Sequence, residues 1–188
     1  MDHNIILVVI DKLGLVILFF GLFIGWSNPF ARWLVISYLL LELIDLTFYQ
    51  MTKLWNTHFY IFEAFMCLVY MLPILFRRDI TLFLYQRTHS RFFLTVAKRK
   101  GQTKYEIYLL KLLALTTAVN FITWIEVLCY KYWLIDIPYI KLYFRDYFIY
   151  FVLLCQNIAL YAFIMYCYAS ESAPDLKRQI DQSPSIKR

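Results

Sequence analysis

Two acidic residues interrupt the long apolar stretch at residues 33–53, WLVISYLLLELIDLTFYQMTK. In a helix, at about 100° per residue, positions i, i+4, i+7 and i+11 share one narrow arc. Here these positions hold Tyr38, Glu42, Asp45 and Tyr49. The stretch is long enough, at ~1.5 Å per residue, to cross a bilayer core of about 30 Å. A carboxylate that faces lipid near the middle of a span costs ~3 kcal/mol even on the lower scales, so we expect this arc to face protein or water.

Polar side chains recur in the other apolar stretches. Glu63 shares a predicted helix face with Cys67 and with tyrosines, so an acid again lies among tyrosines. Gln156 and Asn157 lie in the middle of the last apolar stretch, where we expect them to hydrogen-bond neighbouring helices. A further polar ribbon, which includes Asn120 and Glu126, follows one side of the apolar stretch at residues 105–130. The complete predicted polar path consists of Glu42, Asp45, Glu63, Asn120 and Glu126, with Tyr38, Tyr49 and Tyr70 tuning it.

Intramembrane carboxyl groups at a similar depth favour a polar cavity that draws in cations or protons. An alternative interpretation is structural: Lys12 or the tyrosine hydroxyls could satisfy the acids and simply hold the bundle together. A metal site made of His3, His58, Asp11 and Glu63 is a third interpretation. Its spacing has no standard signature, so we predict neither a metal nor a cofactor.

The sequence contains no Walker loop, GxSxG elbow, HExxH motif or Rossmann fingerprint. With only four glycines in the chain, loops that cradle phosphates are also disfavoured. We therefore predict a protein that is not an enzyme. The remaining enzymatic interpretation is a lipid-acting enzyme that uses Glu42 or Asp45 as a general base, and nothing beyond the acids supports it.

The composition is typical of a membrane protein. Hydrophobic residues make up 62% of the 188 residues, against roughly 45–50% in soluble domains. We predict an all-α, polytopic helical membrane protein with about five transmembrane helices, at residues 5–26, 33–53, 57–76, 105–130 and 146–168. A basic cytoplasmic loop at residues 77–104 would separate the third and fourth spans. Residues 169–188 are rich in polar side chains and predict a disordered cytoplasmic tail.

The basic loop sets the predicted orientation. Its cations are Arg77, Arg78, Arg87, Arg91, Lys98, Arg99, Lys100 and Lys104. The positive-inside rule places them in the cytoplasm, with the N-terminus outside and the C-terminus inside a bacterial-type inner membrane. Apolar residues between the cations are compatible with an amphipathic helix on the membrane surface. Anionic lipid explains this charge better than nucleic acid does.

Three glycines lie on one face of the first span, and Gly21 and Gly25 form a GxxxG pattern. Gly14, Gly21 and Gly25 therefore predict a close helix contact, which could lie between copies of the chain. Five helices are few to surround an ion path, so we expect a homo-oligomer that conducts ions or takes part in transport. The alternative is a membrane interaction module, of the immunity, exclusion or accessory-subunit kind, that binds another membrane protein through the basic loop.

Overall fold

The computed structural model describes residues 3–52, 54–99 and 101–182, with side chains described from Leu13 to Ser170 except at Gln50. Within these ranges the backbone is helical and contains no strand. The helices are α1 (His3–Ile24), α2 (Pro29–Thr52), α3 (Phe59–Leu75), α4 (Arg77–Thr88), α5 (Arg91–Lys98), α6 (Lys104–Lys131) and α7 (Arg145–Gln182). A short π-helical segment, Ile140–Phe144, leads into α7.

The turn between α1 and α2 is built by Asn28 and Pro29. The Asn28 side-chain oxygen accepts hydrogen bonds from the backbone N–H groups of Phe30 at 3.0 Å and Ala31 at 3.3 Å. Asn28 therefore caps α2, while Pro29 takes the first helical position, where no N–H is needed. The Asn28 amide also donates to the carbonyl oxygen of Cys167 at 3.2 Å, which ties this turn to α7.

The five long helices form a ring in the order α1, α2, α3, α6 and α7, and each packs against the next. Helices that follow one another in the ring from α1 to α7 run in opposite directions, because short connections join them or because α4 and α5 return the chain at one end. Helices α1 and α7, which close the ring, run parallel, since Gly14 lies beside Asn157 and Gly21 beside Ile164. The apolar core inside the ring includes Leu34, Ile74, Leu109, Phe163 and Ile164. Outside the ring, large apolar side chains are exposed on the long helices.

This distribution of exposed apolar and buried polar side chains is compatible with a membrane protein. Phe20, Phe23, Leu40, Phe65 and Phe151 are each more than half exposed, whereas several Asn and Thr side chains are buried. Soluble monomers rarely expose apolar patches of this extent. Among the described residues, two helices are long and apolar enough to cross a membrane, Lys104–Lys131 and Ile140–Ser170. The chain therefore has helices suited to membrane integration.

The predicted count of about five spans is supported only in part. A third span is added if α3 and α4, which meet at a bend of 71°, are one broken span. The described apolar part of α1, Leu13–Ile24, is shorter than a span. Helix α2 carries Arg32, Glu42 and Asp45, and this charge separates it from the plainly apolar helices.

The structure gives more detail for two predicted segments. The basic stretch at residues 77–104, for which the sequence suggested an amphipathic helix, forms two helices, α4 and α5, which pack against each other and meet at His89 in a left-handed conformation (φ 52°). At the other end of the chain, α7 extends to Gln182, past the start of the predicted disordered tail at Ala169. Residues 183–188 of that tail lie outside the described residues.

The glycine face of α1 packs inside the chain. A Cβ atom on Gly14 would lie 3.1 Å from the Asn157 side-chain oxygen, and one on Gly25 would lie 2.9 Å from Cβ of Ala31. A Cβ atom on Gly21 would overlap the Cδ1 atom of Ile164. This face is therefore occupied by α2 and α7, and the close helix contact of these glycines lies within the chain.

We expect Gly21→Ala to destabilise the fold by about 1–3 kcal/mol, because Ile164 is buried and its Cδ1 methyl group has to move. Ile164→Val removes that methyl group and should cost ~0.5–1.5 kcal/mol alone. The double variant should then be close to Ile164→Val, since the overlap is gone. Denaturant titration in mixed micelles measures all three. Strictly additive losses would contradict this packing.

Candidate functional site

A cavity of about 210 Å³ lies at the centre of the ring. All five long helices contribute to its wall, with Gly14 and Leu18 from α1 and Ile149 and Leu153 from α7 among its apolar residues. Because one water takes about 30 Å³ in the liquid, the space is large enough for several waters or a hydrated cation. The polar wall consists of Tyr38, Glu42, Asp45, Glu63, Tyr70, Thr116, Gln156 and Asn157.

The acidic side of the cavity comes from α2 and α3. Tyr70 donates a hydrogen bond from its hydroxyl to Oε2 of Glu42 at 2.8 Å, which joins the two helices. The ring centroids of Tyr38 and Tyr70 lie 5.4 Å apart in a tilted arrangement. Asp45 and Glu63 are both near enough to the Cys67 thiol to interact with it electrostatically. Three carboxyl groups therefore converge on one wall.

Local spacing explains this convergence. Tyr38, Glu42 and Asp45 follow one another at i, i+4 and i+7 on α2, and Glu63, Cys67 and Tyr70 have the same spacing on α3. Each set forms one face of its helix. Because α2 and α3 run in opposite directions, the acid in the middle of one face meets the tyrosine at the end of the other.

The Tyr38 hydroxyl is the most unusual group at this site. Tyr38 is only 7% exposed, and its hydroxyl oxygen has no hydrogen-bond partner among the residues that the structure describes. A buried hydroxyl without a partner costs ~1–3 kcal/mol, so such groups usually bond to water or to a ligand. This hydroxyl lines the cavity, where a water or hydrated ion could supply the missing bond.

The opposite wall is polar but neutral. The Gln156 amide donates to the hydroxyl of Thr116 at 3.5 Å, and Asn157 is buried beside Gly14. The sequence placed these amides in the middle of the last span without assigning them to the polar path. The sequence signal for this wall is a pair of amide side chains inside an apolar helix. Burying an amide without a polar partner costs free energy, so these side chains are expected to face one.

Three residues of the predicted polar path lie elsewhere. Tyr49 is 41% exposed and does not line the cavity. Asn120 accepts a hydrogen bond from Nε of Arg145 at 3.0 Å. Glu126 accepts hydrogen bonds from the backbone N–H groups of Ile140 at 2.8 Å and Lys141 at 2.9 Å. The structure therefore does not bring these three residues to the cavity that Glu42, Asp45 and Glu63 line.

Asn120 and Glu126 instead fix the beginning of the last helix. Arg145 also pairs with Asp146 at 2.9 Å, and its guanidinium carbon lies 4.7 Å from the centroid of the Tyr60 ring. Glu126 holds free N–H groups at a helix start, which is the favourable place for a carboxylate. This cluster lies about one helical turn from the cavity. Asn120 follows the cavity residue Thr116 by four positions, and Arg145 precedes the cavity residue Ile149 by four positions.

A buried ion pair lies at the end of the bundle formed by α4 and α5. Arg77 donates to Oε1 of Glu106 and to the backbone oxygen of Gly101. The two side chains are only 8% and 3% exposed. Glu106 also completes a capping box, because its other oxygen accepts from Thr103 N–H at 2.6 Å. Arg77, which the sequence assigned to the basic loop, is therefore buried and paired.

The remaining basic residues at this end are divided between packing and surface. Arg32 stacks on Phe92 with its guanidinium carbon 4.2 Å from the ring centroid, and Arg99 stacks on Phe30 at 4.4 Å. These contacts fix α5 against the start of α2. The exposed cations are Arg78, Arg87, Arg91, Lys98 and Lys104. Lys100 lies outside the described residues.

In the described part of the chain, no three His, Cys, Asp or Glu side chains are placed to hold a metal ion. The side chains of His3, Asp11 and Lys12 lie outside that part, so the predicted alternatives that use them are not tested. No protein-family model, curated protein or solved structure matches this chain. Function is therefore inferred from the geometry of the chain itself.

Proposed function

We propose that this chain is an integral membrane protein that takes cations or protons into the cavity between its five long helices and acts in ion conduction or transport. The observation that carries this proposal is the convergence of Glu42, Asp45 and Glu63 on one cavity whose wall also holds the unsatisfied hydroxyl of Tyr38. Three carboxyl groups on one wall favour a positively charged occupant.

Electrostatics supports this occupant. Charges of one sign in a cleft with low-dielectric walls raise the local concentration of the opposite charge by ~10–10³-fold. Since no three described His, Cys, Asp or Glu side chains are placed to hold one metal ion, the occupant that we propose is a proton or a hydrated cation.

The orientation follows from the distribution of charge. We place α4, α5 and the C-terminus in the cytoplasm of a bacterial-type inner membrane, and the N-terminus outside, because basic residues concentrate at the α4–α5 end. In this proposal α1 and α2 complete a set of about five spans, and α2 is accommodated because its acids face the cavity. Assembly into a homo-oligomer is compatible with this arrangement, although one chain already surrounds the cavity.

Cys67 offers a direct test, since it lines the cavity beside the acids. We would retain Cys67, replace the other three cysteines by alanine and compare a cationic trimethylammonium-ethyl methanethiosulfonate with an anionic sulfonatoethyl one. The cationic reagent should react faster by about tenfold or more, because the acids concentrate cations. Taking the ratio of the two rates cancels the intrinsic reactivity of the thiol.

Two matched variants complete the test. In the Cys67 background, Glu42→Gln with Asp45→Asn should bring the rate ratio close to one. An exposed thiol from Leu54→Cys, in a chain without Cys67, corrects for the reagents themselves, because Leu54 is exposed and does not line the cavity. Equal rates for the two reagents at Cys67, or no reaction with either, would contradict a cavity that attracts cations.

A further inference from the structure

A second and larger cavity lies at the α4–α5 end of the molecule, away from the acids. Its volume is about 720 Å³, and it opens between α4, α5 and the first turns of α6. Basic and apolar side chains share its wall, and no acid is among the described lining residues. Its wall includes the side chains of Leu75, Arg78, Leu82, Leu94, Lys98, Arg99 and Ile107.

The positive charge of this cleft is available to a ligand. Arg77 also lines the cleft, but its charge is offset by Glu106. Arg78 and Lys98 are exposed, and Arg99 is half-buried with its guanidinium on the ring of Phe30. Three cations on one concave wall form a site for a phosphate group, because Arg and Lys donate several charge-assisted hydrogen bonds to phosphate oxygens.

The apolar side of the cleft indicates what the phosphate is attached to. Leu75 lies at the end of α3 and is 49% exposed, and Ile107 lies in the first turn of α6 and is 40% exposed. Ile107 lies at the beginning of the candidate span Lys104–Lys131, and Leu75 lies where α3 meets α4 at a bend of 71°, so both residues lie at the α4–α5 end of the bundle. Leu82 and Leu94 extend the apolar wall into the cleft. The cleft therefore has cations that can contact a phosphate group directly beside apolar side chains that can contact a hydrocarbon chain.

We propose that this cleft binds an anionic phospholipid, with its phosphate and acidic headgroup held by Arg78, Lys98 and Arg99. One acyl chain would lie along Leu75 and Ile107 and continue down the outside of α3 and α6. The site is independent of the acidic cavity and of ion transport. A free phosphate would leave the apolar wall uncovered, and an RNA would have to place its polar backbone beside it.

The test uses the full chain purified from a bilayer with equal phosphatidylglycerol and phosphatidylcholine, followed by native mass spectrometry of the lipids that remain bound. The wild-type chain should retain phosphatidylglycerol in preference to phosphatidylcholine. The triple variant Arg78→Gln, Lys98→Gln, Arg99→Gln should lose this preference by about tenfold or more, since each cation near anionic lipid contributes separately. Arg78→Gln alone should give a smaller loss without disturbing the Arg99 contact with Phe30.

A control with the same change in charge is Arg87→Gln, Arg91→Gln, Lys104→Gln, because these exposed cations do not line the cleft. It should keep the wild-type preference. Equal losses in both triple variants would overturn the proposal, because attraction would then depend only on overall charge. Displacement of the lipid by millimolar inorganic phosphate, or by a short single-stranded RNA, would also overturn it.

Discussion

Glu42→Gln is expected to lower ion flux through the reconstituted protein by about tenfold or more, since losing ~1.4 kcal/mol of cation affinity is a tenfold effect. We choose Glu42 because it lies where α2 meets α3 and its carboxylate accepts the hydrogen bond of Tyr70. Glutamine keeps the size and one acceptor oxygen of the side chain but removes its charge. Flux is measured in liposomes with dyes for H⁺, Na⁺ and K⁺ under an imposed membrane potential.

The matched control is Asp79→Asn, which removes one acidic charge from an exposed position on α4 outside the cavity. It should leave the flux of the wild-type chain unchanged. An equal reduction in both variants would assign the effect to overall charge. If wild-type liposomes showed no flux of any of the three cations above empty liposomes, the transport proposal would be wrong, and the labelling of Cys67 would still decide whether the cavity attracts cations.

Glu106→Ala is expected to destabilise the fold by about 3–5 kcal/mol, because it leaves the Arg77 guanidinium buried without its counter-charge. Part of this loss comes from the capping box, which Thr103→Ala removes separately at a cost of ~1 kcal/mol. Denaturant titration in mixed micelles measures both variants. The difference between them reports the ion pair.

The double variant Arg77→Met, Glu106→Met separates a buried charge from a lost contact. Well-packed apolar pairs often replace buried ion pairs at little cost, so the double variant should be much more stable than Glu106→Ala. This holds although the double variant also loses the capping box. A double variant that is as unstable as the single one would mean that the specific hydrogen bonds of Arg77, including the one to Gly101, hold this end of the molecule together.

Helical spacing was enough to identify most of the acidic wall. Glu42, Asp45 and Glu63 each lie in a helix whose other faces are apolar, and the high cost of a charge in lipid leaves the inside of the bundle as their place. Tyr38 and Tyr70 share the helix faces of these acids, so they are predicted to face the inside of the bundle as well. These predictions depend on one helix at a time, so they required no knowledge of how the helices are arranged.

The residues that lie away from the cavity are those whose place depends on a second helix. Asn120 lies one turn beyond Thr116, which lines the cavity, yet Asn120 bonds to Arg145 from α7. Glu126 bonds to backbone N–H groups of residues after Pro138, which return against α6. Periodicity gives the face of a residue, but it does not say which side chain from the next helix lies at the same depth.

The fold was predicted in its class but not in its details. The all-helical character follows from composition and periodicity, whereas the bend at Leu75–Arg77 brings Arg77 to Glu106 across a separation of 29 residues. The helix-start signature of Thr103 and Glu106 is visible in the sequence, as TxxE before an apolar run. The pairing of Glu106 with Arg77 could not be predicted, because the sequence does not distinguish a buried arginine from the exposed cations around it.

The central claim, that the carboxyl groups face a wet interior and not lipid, is tested most directly by the amount of water near position 42. Nitroxide labels at Glu42→Cys and Leu43→Cys, each in a chain without other cysteines, lie at almost the same depth, because a helix rises only ~1.5 Å per residue. Leu43 is 51% exposed on the outside of the bundle. In D₂O, electron spin echo modulation by deuterium should be clearly deeper at position 42 than at position 43. Equal, shallow modulation at both positions would contradict the claim.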